Sequence, residues 1–213
     1  MNTQLLFGET YQVLDRHDDW LLIESDHDHY SSWITAIQHH PFENDITDLL
    51  SISDTPVAFI EHQYLSVKQL LPLFVGSKLP DRRDKIWYTG MHTFTYPDIK
   101  KRANTLSPEE VHRLSSMYLH SPYLWGGRSP AGIDCSGLVQ VVMGLMNIKL
   151  PRDAYQQANE GKLVDFIHEA QAGDLAFFDN ADGHIIHVGI MLNHEHIIHA
   201  SGTVRIDRID HAG

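Results

Sequence analysis

The sequence predicts an α+β protein, in which a small all-β region precedes a domain with helices first and an antiparallel sheet second. Two observations carry this prediction. Short β-rich runs separated by polar turns fill the amino-terminal part of the chain. In the carboxyl-terminal part, helical segments precede three further β-rich runs.

The amino-terminal runs lie about ten residues apart, a spacing typical of a small antiparallel barrel. They are residues 11–14, 20–23 and 30–34. A second set follows, with strands expected at residues 57–60 and 86–88 and a short helical turn near residues 67–74. Residues 100–104 are expected to form a linker.

A helix is expected to begin after Ser107, because Ser107 is a favourable N-cap and Pro108 suits the first helical position. A glycine-rich loop follows, and apolar residues at helical spacing predict a second helix from about Cys135 to Met146. Three strands are expected after it, at residues 174–178, 187–192 and 196–200.

Composition narrows the possible partners and location. The net charge of −12 argues against nucleic acid and anionic membranes, which bind basic surfaces. No apolar run approaches the roughly 20 residues of a membrane span. The first residues lack the pattern of a signal peptide, so we expect a cytoplasmic location. An export segment ahead of this sequence would instead indicate the cell envelope or periplasm.

Cys135 is the only cysteine, which excludes an internal disulfide and a multi-cysteine metal site. A lone cysteine is more often structural than catalytic, but its neighbours Asp134, Ser136 and Gly137 are not those of a core residue. Asp134 is the expected N-cap of the second helix. The positive end of that helix is expected to lower the thiol pKa and to favour the nucleophilic thiolate.

A general base for Cys135 is expected on the run at residues 187–192. Alternation places His187 and Gly189 on one face of this strand, where the glycine would let another group approach closely. If the strand forms a hairpin around residue 193, His187 lies opposite His199, and the second imidazole can fix the tautomer of the first. Most of the 16 histidines are expected to be ordinary surface or core residues.

A zinc site is the rival interpretation of the histidine-rich carboxyl-terminal part. His184, His187, His194, His196 and His199 could together supply three ligands. His184 and His187 would face opposite sides of a strand, however, and His194 and His196 fall in the expected turn. We therefore expect no metal and no other cofactor.

The carboxyl-terminal part contains five motifs in order: YLWGG at 123–127, DCSG at 134–137, LPRDAYQQ at 150–157, AGDLAFF at 172–178 and HVGI at 187–190. Together they resemble the NlpC-type cell-wall peptidases, a papain-like bacterial family. The resemblance covers about residues 107 to 206 and implies a Cys-His-His triad in this chain order. It implies that Cys135 is the nucleophile, His187 the base and His199 the orienting residue, with Tyr123 assisting at the oxyanion.

The amino-terminal part contains Gly8-Glu9, the run that begins at Trp20 and the segment YSSW at 30–33. On these residues it resembles the bacterial SH3-like domains of peptidases that act on γ-D-glutamyl bonds. The resemblance implies three regions: an SH3-like barrel at 1–42, which would begin at the second strand of such a barrel, a second SH3-like or connecting β-rich region with a linker at 43–104, and the papain-like catalytic domain at 105–213.

The same resemblance implies a substrate. This would be a murein peptide with a free amino-terminal L-Ala, cleaved between γ-D-Glu and a diamino acid during cell-wall turnover or recycling. Asp134 and Tyr30 are the implied contacts for the amino end, although Asp134 would serve equally well as a helix cap alone, and Ser136 is a further implied substrate contact. An amidase or acyltransferase on the same scaffold, and a non-catalytic wall-binding protein, are the alternatives.

Overall fold

The computed structural model of the chain describes residues 2–39, 41, 49–52, 55–98 and 106–209. The chain divides into two units, one comprising Leu5–Ala103 and the other comprising Met1–Gln4 with Asn104–Gly213. The expected linker at residues 100–104 and the expected domain boundaries after residues 42 and 104 lie outside the described residues. Among the described residues, no helix is long and apolar enough to span a membrane.

The first sheet of the amino-terminal unit confirms the first three expected strands. Its strands are antiparallel in the order β1-β2-β3, namely Tyr11–His17, Trp20–Ser25 and Ser31–Thr35. The alternation of β2 buries Leu21, Ile23 and Ser25 on one face, while Trp20 is exposed. The sheet therefore has the one-sided burial that its sequence pattern predicts.

Six further strands complete the described part of the amino-terminal unit, as a two-stranded sheet β4-β7 and a four-stranded sheet β6-β5-β9-β8. They are β4 (Leu49–Ser51), β5 (Val57–Tyr64), β6 (Val67–Phe74), β7 (Lys78–Pro80), β8 (Ile86–Thr89) and β9 (His92–Thr95). Buried apolar residues form the core; they are Ile52, Ile60, Leu73, Leu79, Phe94 and Tyr96. The expected all-β region is thus confirmed.

The prediction of a helical turn near residues 67–74 is wrong. This segment is strand β6, and each of its eight residues pairs with a residue of β5. Pro72 cannot donate to a ladder, which disfavours proline in the middle of a sheet. β6 is an edge strand, however, so Pro72 pairs with Phe59 without interrupting a second ladder.

The second unit has the expected order of helices before sheet. Its helices are α1 (Pro108–Ser116), α2 (Cys135–Leu145) and the short α3 (Ala154–Gln157), and a two-residue hairpin of β10 (Arg128–Ser129) and β11 (Gly132–Ile133) precedes α2. Ser107 caps α1 as expected, since its side chain accepts a hydrogen bond from the backbone N–H of Glu110. Nearly every residue of α2 is buried, and α2 packs on α1 and on the sheet.

The sheet of this unit is an antiparallel meander in the order β12-β13-β14-β15. Its strands are Leu175–Asp179, Ile185–Met191, His196–Ser201 and Thr203–Arg208. The first three confirm the expected strands. The fourth was not expected from the sequence, and it pairs along its whole length with β14.

Candidate active site

The amino terminus of α2 is held by Asp134, the expected N-cap. Its Oδ1 accepts a hydrogen bond from the backbone N–H of Gly137 at 2.7 Å, and its carbonyl oxygen accepts from Leu138. A Cβ on Gly137 would lie 2.4 Å from the carbonyl oxygen of Gly127, so glycine is needed where the loop meets the helix. Cys135 is consequently fixed as the first helical residue, 7% exposed.

The thiol of Cys135 is less acidic than the sequence suggested. Burial raises its pKa above the ordinary value, and the carboxylate of Asp134 adds to this effect. Hydrogen bonds from the backbone N–H groups of Val188, Ser136 and Cys135 act in the opposite direction without outweighing burial. The expected lowering of the pKa is therefore wrong for this state. The bond from Val188 also places the sulfur against β13, one residue from His187.

His187 and His199 lie in direct contact. The Nε2 of His187 is 2.8 Å from the Nδ1 of His199. The strand register pairs His199 with Gly189, so the two imidazoles meet diagonally across β13 and β14 and not directly opposite each other. The contact expected from the sequence is present, and the expected register differs by two residues.

The environment of His187 keeps its imidazole neutral. Burial lowers its pKa from 6.5 to about 4, with further contributions from His199 and Arg205. The ring of Phe178, on the neighbouring strand β12, lies 5.7 Å from that of His187 between centroids. At neutral pH, His187 therefore has a free lone pair that can accept a proton.

Asp207 is a residue of this site that the sequence analysis missed. Its Oδ2 lies 3.0 Å from the Nε2 of His199 and accepts a hydrogen bond from the Nε of Arg205 at 2.8 Å. These bonds, that from Arg205 first, lower the pKa of Asp207. The sequence offered one signal for Asp207, its spacing of two from Arg205. That spacing places both side chains on one face only if the segment is a strand, and it indicates this site only if the strand lies beside His199.

Arg152 is the second missed residue, and it lies within the LPRDAYQQ motif. Its side chain is 1% exposed and forms a bidentate pair with Asp134, with N–O distances of 3.0 and 2.7 Å. It also donates to the Oγ of Ser136 at 2.8 Å and to the Oγ1 of Thr3 at 3.0 Å. The two residues that flank Cys135 are thus held by one buried guanidinium group.

Five donors surround the carboxylate of Asp134. Besides the two nitrogens of Arg152 and the N–H of Gly137, its Oδ2 accepts from the N–H of Gly126 at 2.7 Å, and its Oδ1 faces the Oγ of Ser136 at 3.4 Å. A carboxylate offers about four acceptor positions. This saturation favours the role of Asp134 as a helix cap over direct contact with a substrate ammonium group.

The two tyrosines named from the sequence lie in different units. Tyr123 is half-buried in the catalytic unit, where burial and the charges of Cys135 and Asp134 raise the pKa of its hydroxyl. Tyr30 belongs to the amino-terminal unit, where its backbone N–H donates to the Oδ1 of Asp28. The structure thus places Tyr123 beside the thiol, and the role of Tyr30 stays a prediction.

The histidines of the rival zinc site do not form a three-ligand metal site among the described residues, although His187 and His199 are in contact. Within residues 2–39, 41, 49–52, 55–98 and 106–209, no group of three or more His, Cys, Asp or Glu side chains is arranged to hold a metal ion. His196 is the first residue of β14 and not a turn residue, and its Nδ1 lies 3.2 Å from the Oδ1 of Asn193 in the preceding turn.

Comparison with known families shows which protein domains the chain matches. Residues 120–213 match the model of the NlpC/P60 family, and residues 1–37 match that of the bacterial dipeptidyl-peptidase Sh3 domain. The chain carries an NlpC/P60 domain. The NlpC/P60 match includes Cys135, the histidine pair and the whole four-stranded sheet.

Two curated relatives align with nearly the whole chain. The γ-D-glutamyl-L-lysine dipeptidyl-peptidase of Bacillus cereus is 26% identical over 230 residues, which cover 96% of this chain and 68% of the relative. That of Bacillus subtilis is 26% identical over 219 residues, with 95% and 73% covered.

A solved structure of an NlpC/P60 family protein from Bacillus cereus has the same fold. Its TM-score is 0.85 at 23% identity, with 100% of this chain and 78% of that chain covered. The NlpC/P60 domain and the dipeptidyl-peptidase relatives identify the protein as a cysteine peptidase.

Proposed function

We propose that the protein is a cysteine endopeptidase that hydrolyses the γ-D-glutamyl–diamino acid bond of murein peptides with a free amino-terminal L-Ala. Cys135 is the nucleophile, His187 the general base and acid, and His199 the orienting residue. The observation that carries this proposal is the His187–His199 contact of 2.8 Å on the strand that also donates a backbone hydrogen bond to the Cys135 sulfur.

The first half-reaction begins with a neutral thiol and a neutral imidazole. The thiol proton of Cys135 moves to His187 as the sulfur attacks the γ-D-glutamyl carbonyl carbon. The carbonyl oxygen becomes an oxyanion, which the backbone N–H of Cys135 and the hydroxyl of Tyr123 stabilise. Collapse of the intermediate breaks the C–N bond, and His187 donates its proton to the departing amine of the diamino acid.

The second half-reaction releases the acyl group. His187, again neutral, takes a proton from a water molecule, and the resulting hydroxide attacks the thioester carbon. The C–S bond breaks, the proton on His187 returns to the sulfur, and L-Ala-γ-D-Glu leaves as a free acid. The raised pKa of Cys135 and the lowered pKa of His187 define the thiol–imidazole state that begins and ends this cycle.

Support for the substrate comes from the relatives, which are named for cleavage at γ-D-glutamyl-L-lysine. Tyr30 and Asp134 are the expected contacts for the amino end of the peptide, and Ser136 is a further expected substrate contact. Of these, Asp134 acts mainly by holding the first turn of α2, because its oxygens already accept five donors.

A murein tripeptide, L-Ala-γ-D-Glu-diamino acid, tests the nucleophile and the base. Cys135→Ala and His187→Ala should each abolish release of L-Ala-γ-D-Glu, whereas His168→Ala, an exposed histidine of the same unit, should retain wild-type turnover. A chelator should leave the wild type active. Turnover by Cys135→Ala would refute the cysteine mechanism, and inhibition by the chelator would indicate a metal enzyme.

Acetylation of the tripeptide tests recognition of the amino end. We expect the acetylated peptide to be cleaved far more slowly, because acetylation removes the positive charge and two of the three N–H donors of the ammonium group. The control is a tripeptide with its carboxyl terminus amidated, which leaves the amino end unchanged. Equal turnover of the free and acetylated peptides would contradict this part of the proposal.

A further inference from the structure

His199 makes two polar contacts, one at each ring nitrogen. Its Nδ1 lies 2.8 Å from the Nε2 of His187, and its Nε2 lies 3.0 Å from the Oδ2 of Asp207. His199 is 8% exposed, so water has little access to replace either partner. A relay of three side chains therefore runs from β13 through β14 to β15.

Each link of this relay has the same geometry. In the register of the sheet, His199 pairs with Gly189 on one side and with Arg205 on the other. His187 and Asp207 each lie two residues from those positions, so both reach His199 diagonally. Arg205, which lies directly opposite His199, donates from its Nε to the Oδ2 of Asp207 at 2.8 Å. This bond holds the carboxylate in position toward the ring.

The carboxylate determines which nitrogen of His199 carries the proton. An ionised Asp207 can only accept, so the Nε2 of His199 must donate to it. A neutral imidazole has one donor and one acceptor, and the Nδ1 of His199 is therefore the acceptor. Because Nδ1 accepts, the Nε2 of His187 must be the donor in the 2.8 Å contact between the rings.

The Nδ1 of His187 is the one ring nitrogen of the two histidines that these contacts leave unassigned. With its proton on Nε2, a neutral His187 has its lone pair on Nδ1, and that lone pair is the one available to take the proton of Cys135. The opposite tautomer of His199 would donate from Nδ1, would turn the Nε2 of His187 into an acceptor and would place the His187 proton on Nδ1. His187 would then be unable to act as a base at that atom.

We propose that Asp207 is a positioning residue that fixes the Nε2–H tautomers of His199 and His187 and so directs the basic Nδ1 of His187 toward catalysis. The proposal rests on the roles of Cys135, His187 and His199 proposed above. It extends the three-residue site to a fourth member on strand β15, which the sequence analysis did not identify.

Histidine tautomers test this proposal without any assay of activity. Two-bond ¹H–¹⁵N correlation spectra of the ¹⁵N-labelled wild type distinguish protonated from unprotonated ring nitrogens, and the signals are assigned by their loss in His187→Asn and His199→Asn. We expect both residues to carry the proton on Nε2. In Asp207→Ala we expect the Nδ1–H form of His199 to appear. A wild-type His199 protonated on Nδ1, or tautomers unchanged in Asp207→Ala, would overturn the proposal even if the chain had no peptidase activity.

Kinetics supply the second measurement. Loss of the orienting carboxylate in a serine protease triad costs about 10⁴-fold in kcat. Asp207 is one side chain further from the base, so we expect kcat of Asp207→Ala to fall roughly tenfold to a hundredfold, with a smaller change in KM. Circular dichroism checks that the variant is folded.

The matched control is Asp84→Ala, because the Nε of Arg82 donates to Asp84 across the same two-residue spacing with no histidine attached. It should keep wild-type kinetics. A folded Asp207→Ala enzyme with kcat within twofold of the wild type would refute the positioning role.

Discussion

Gly189 and His199 pair directly across strands β13 and β14, and a Cβ on Gly189 would lie 2.9 Å from the Cβ of His199. The same Cβ would lie 2.6 Å from the Cδ1 of Ile197. Ile197 can change its rotamer, but the Cβ of His199 moves only with the backbone. The absence of a side chain at residue 189 therefore makes room for His199.

Gly189→Ala should consequently displace His199 and break its contact with His187. We expect kcat to fall at least tenfold and by no more than the 10²- to 10⁴-fold, roughly, that general acid–base catalysis contributes, while the variant still folds. Steady-state kinetics on the murein tripeptide measure the effect. Gly144→Ala is the control, since Gly144 is an exposed glycine of α2 whose added Cβ meets nothing within 4 Å. It should leave kcat unchanged and stabilise the helix by about 0.5–1 kcal/mol.

Arg152→Lys should strongly destabilise the catalytic unit. A lysine lacks the planar guanidinium group that pairs with both oxygens of Asp134, and its single ammonium group cannot also reach Ser136 and Thr3. Buried polar groups therefore lose their hydrogen-bond partners. Breaking a buried ion pair costs about 3–5 kcal/mol, and we expect a loss of about 2 kcal/mol or more here because the charge is kept. Urea unfolding followed by fluorescence measures it.

Arg113→Lys is the matched control for Arg152→Lys. Arg113 also forms a bidentate pair, with Glu110, but both side chains are more than a quarter exposed. Its replacement should cost less than about 1 kcal/mol. Equal losses in the two variants would show that the contacts of Arg152 contribute no more than a surface pair.

On acidification, kcat/KM should begin to fall only at an unusually low pH. This ratio reports the ionisations of the free enzyme. In the proposed mechanism His187 must be neutral to accept the thiol proton, and burial lowers its pKa to about 4. We therefore expect kcat/KM to stay high from neutral pH down to about pH 5 and to fall near pH 4. A lower limb centred near pH 6.5, the ordinary histidine value, would contradict the lowered pKa of His187.

The same shift makes the folded protein sensitive to acid. Below pH 6.5 the unfolded chain protonates residue 187, whereas the folded chain does not do so until about pH 4. Lowering the pH through this window therefore favours the unfolded state, and the stability is recovered as the pH rises. Between pH 7 and pH 5, His187→Gln should lose less free energy of unfolding than the wild type. Parallel losses would contradict the lowered pKa.

The sequence predicted the parts of the site that depend on local signals. Asp134 and Cys135 follow from helix capping, and His187 follows from strand alternation beside Gly189. It could not predict the thiol pKa of Cys135, because the burial that raises it depends on packing of α2 against the sheet. Arg152 and Asp207 were missed for the same reason, since each acts on a residue brought near only by the fold.

The amino-terminal unit illustrates the limit of local patterns. A helical turn was expected near residues 67–74, a segment that contains adjacent leucines and a proline. Pairing with β5 determined the outcome, and the edge position of the strand removed the penalty for Pro72. Strand β15 was missed because its charged residues hid the alternation, and those charges include the residue that contacts His199.

The buried, protonated state of Cys135 also determines how readily the enzyme reacts with oxidants and electrophiles. Peroxide and alkylating reagents react with thiolates, so a resting thiol with a raised pKa is protected from both. With no second cysteine in the sequence, an oxidised sulfur could not be trapped as an internal disulfide. Titration with iodoacetamide should therefore undercount competent enzyme. An effective covalent inhibitor would first have to bind in the substrate site as a peptide does. The Cys135 sulfur could then attack its electrophilic carbon while His187 takes the thiol proton.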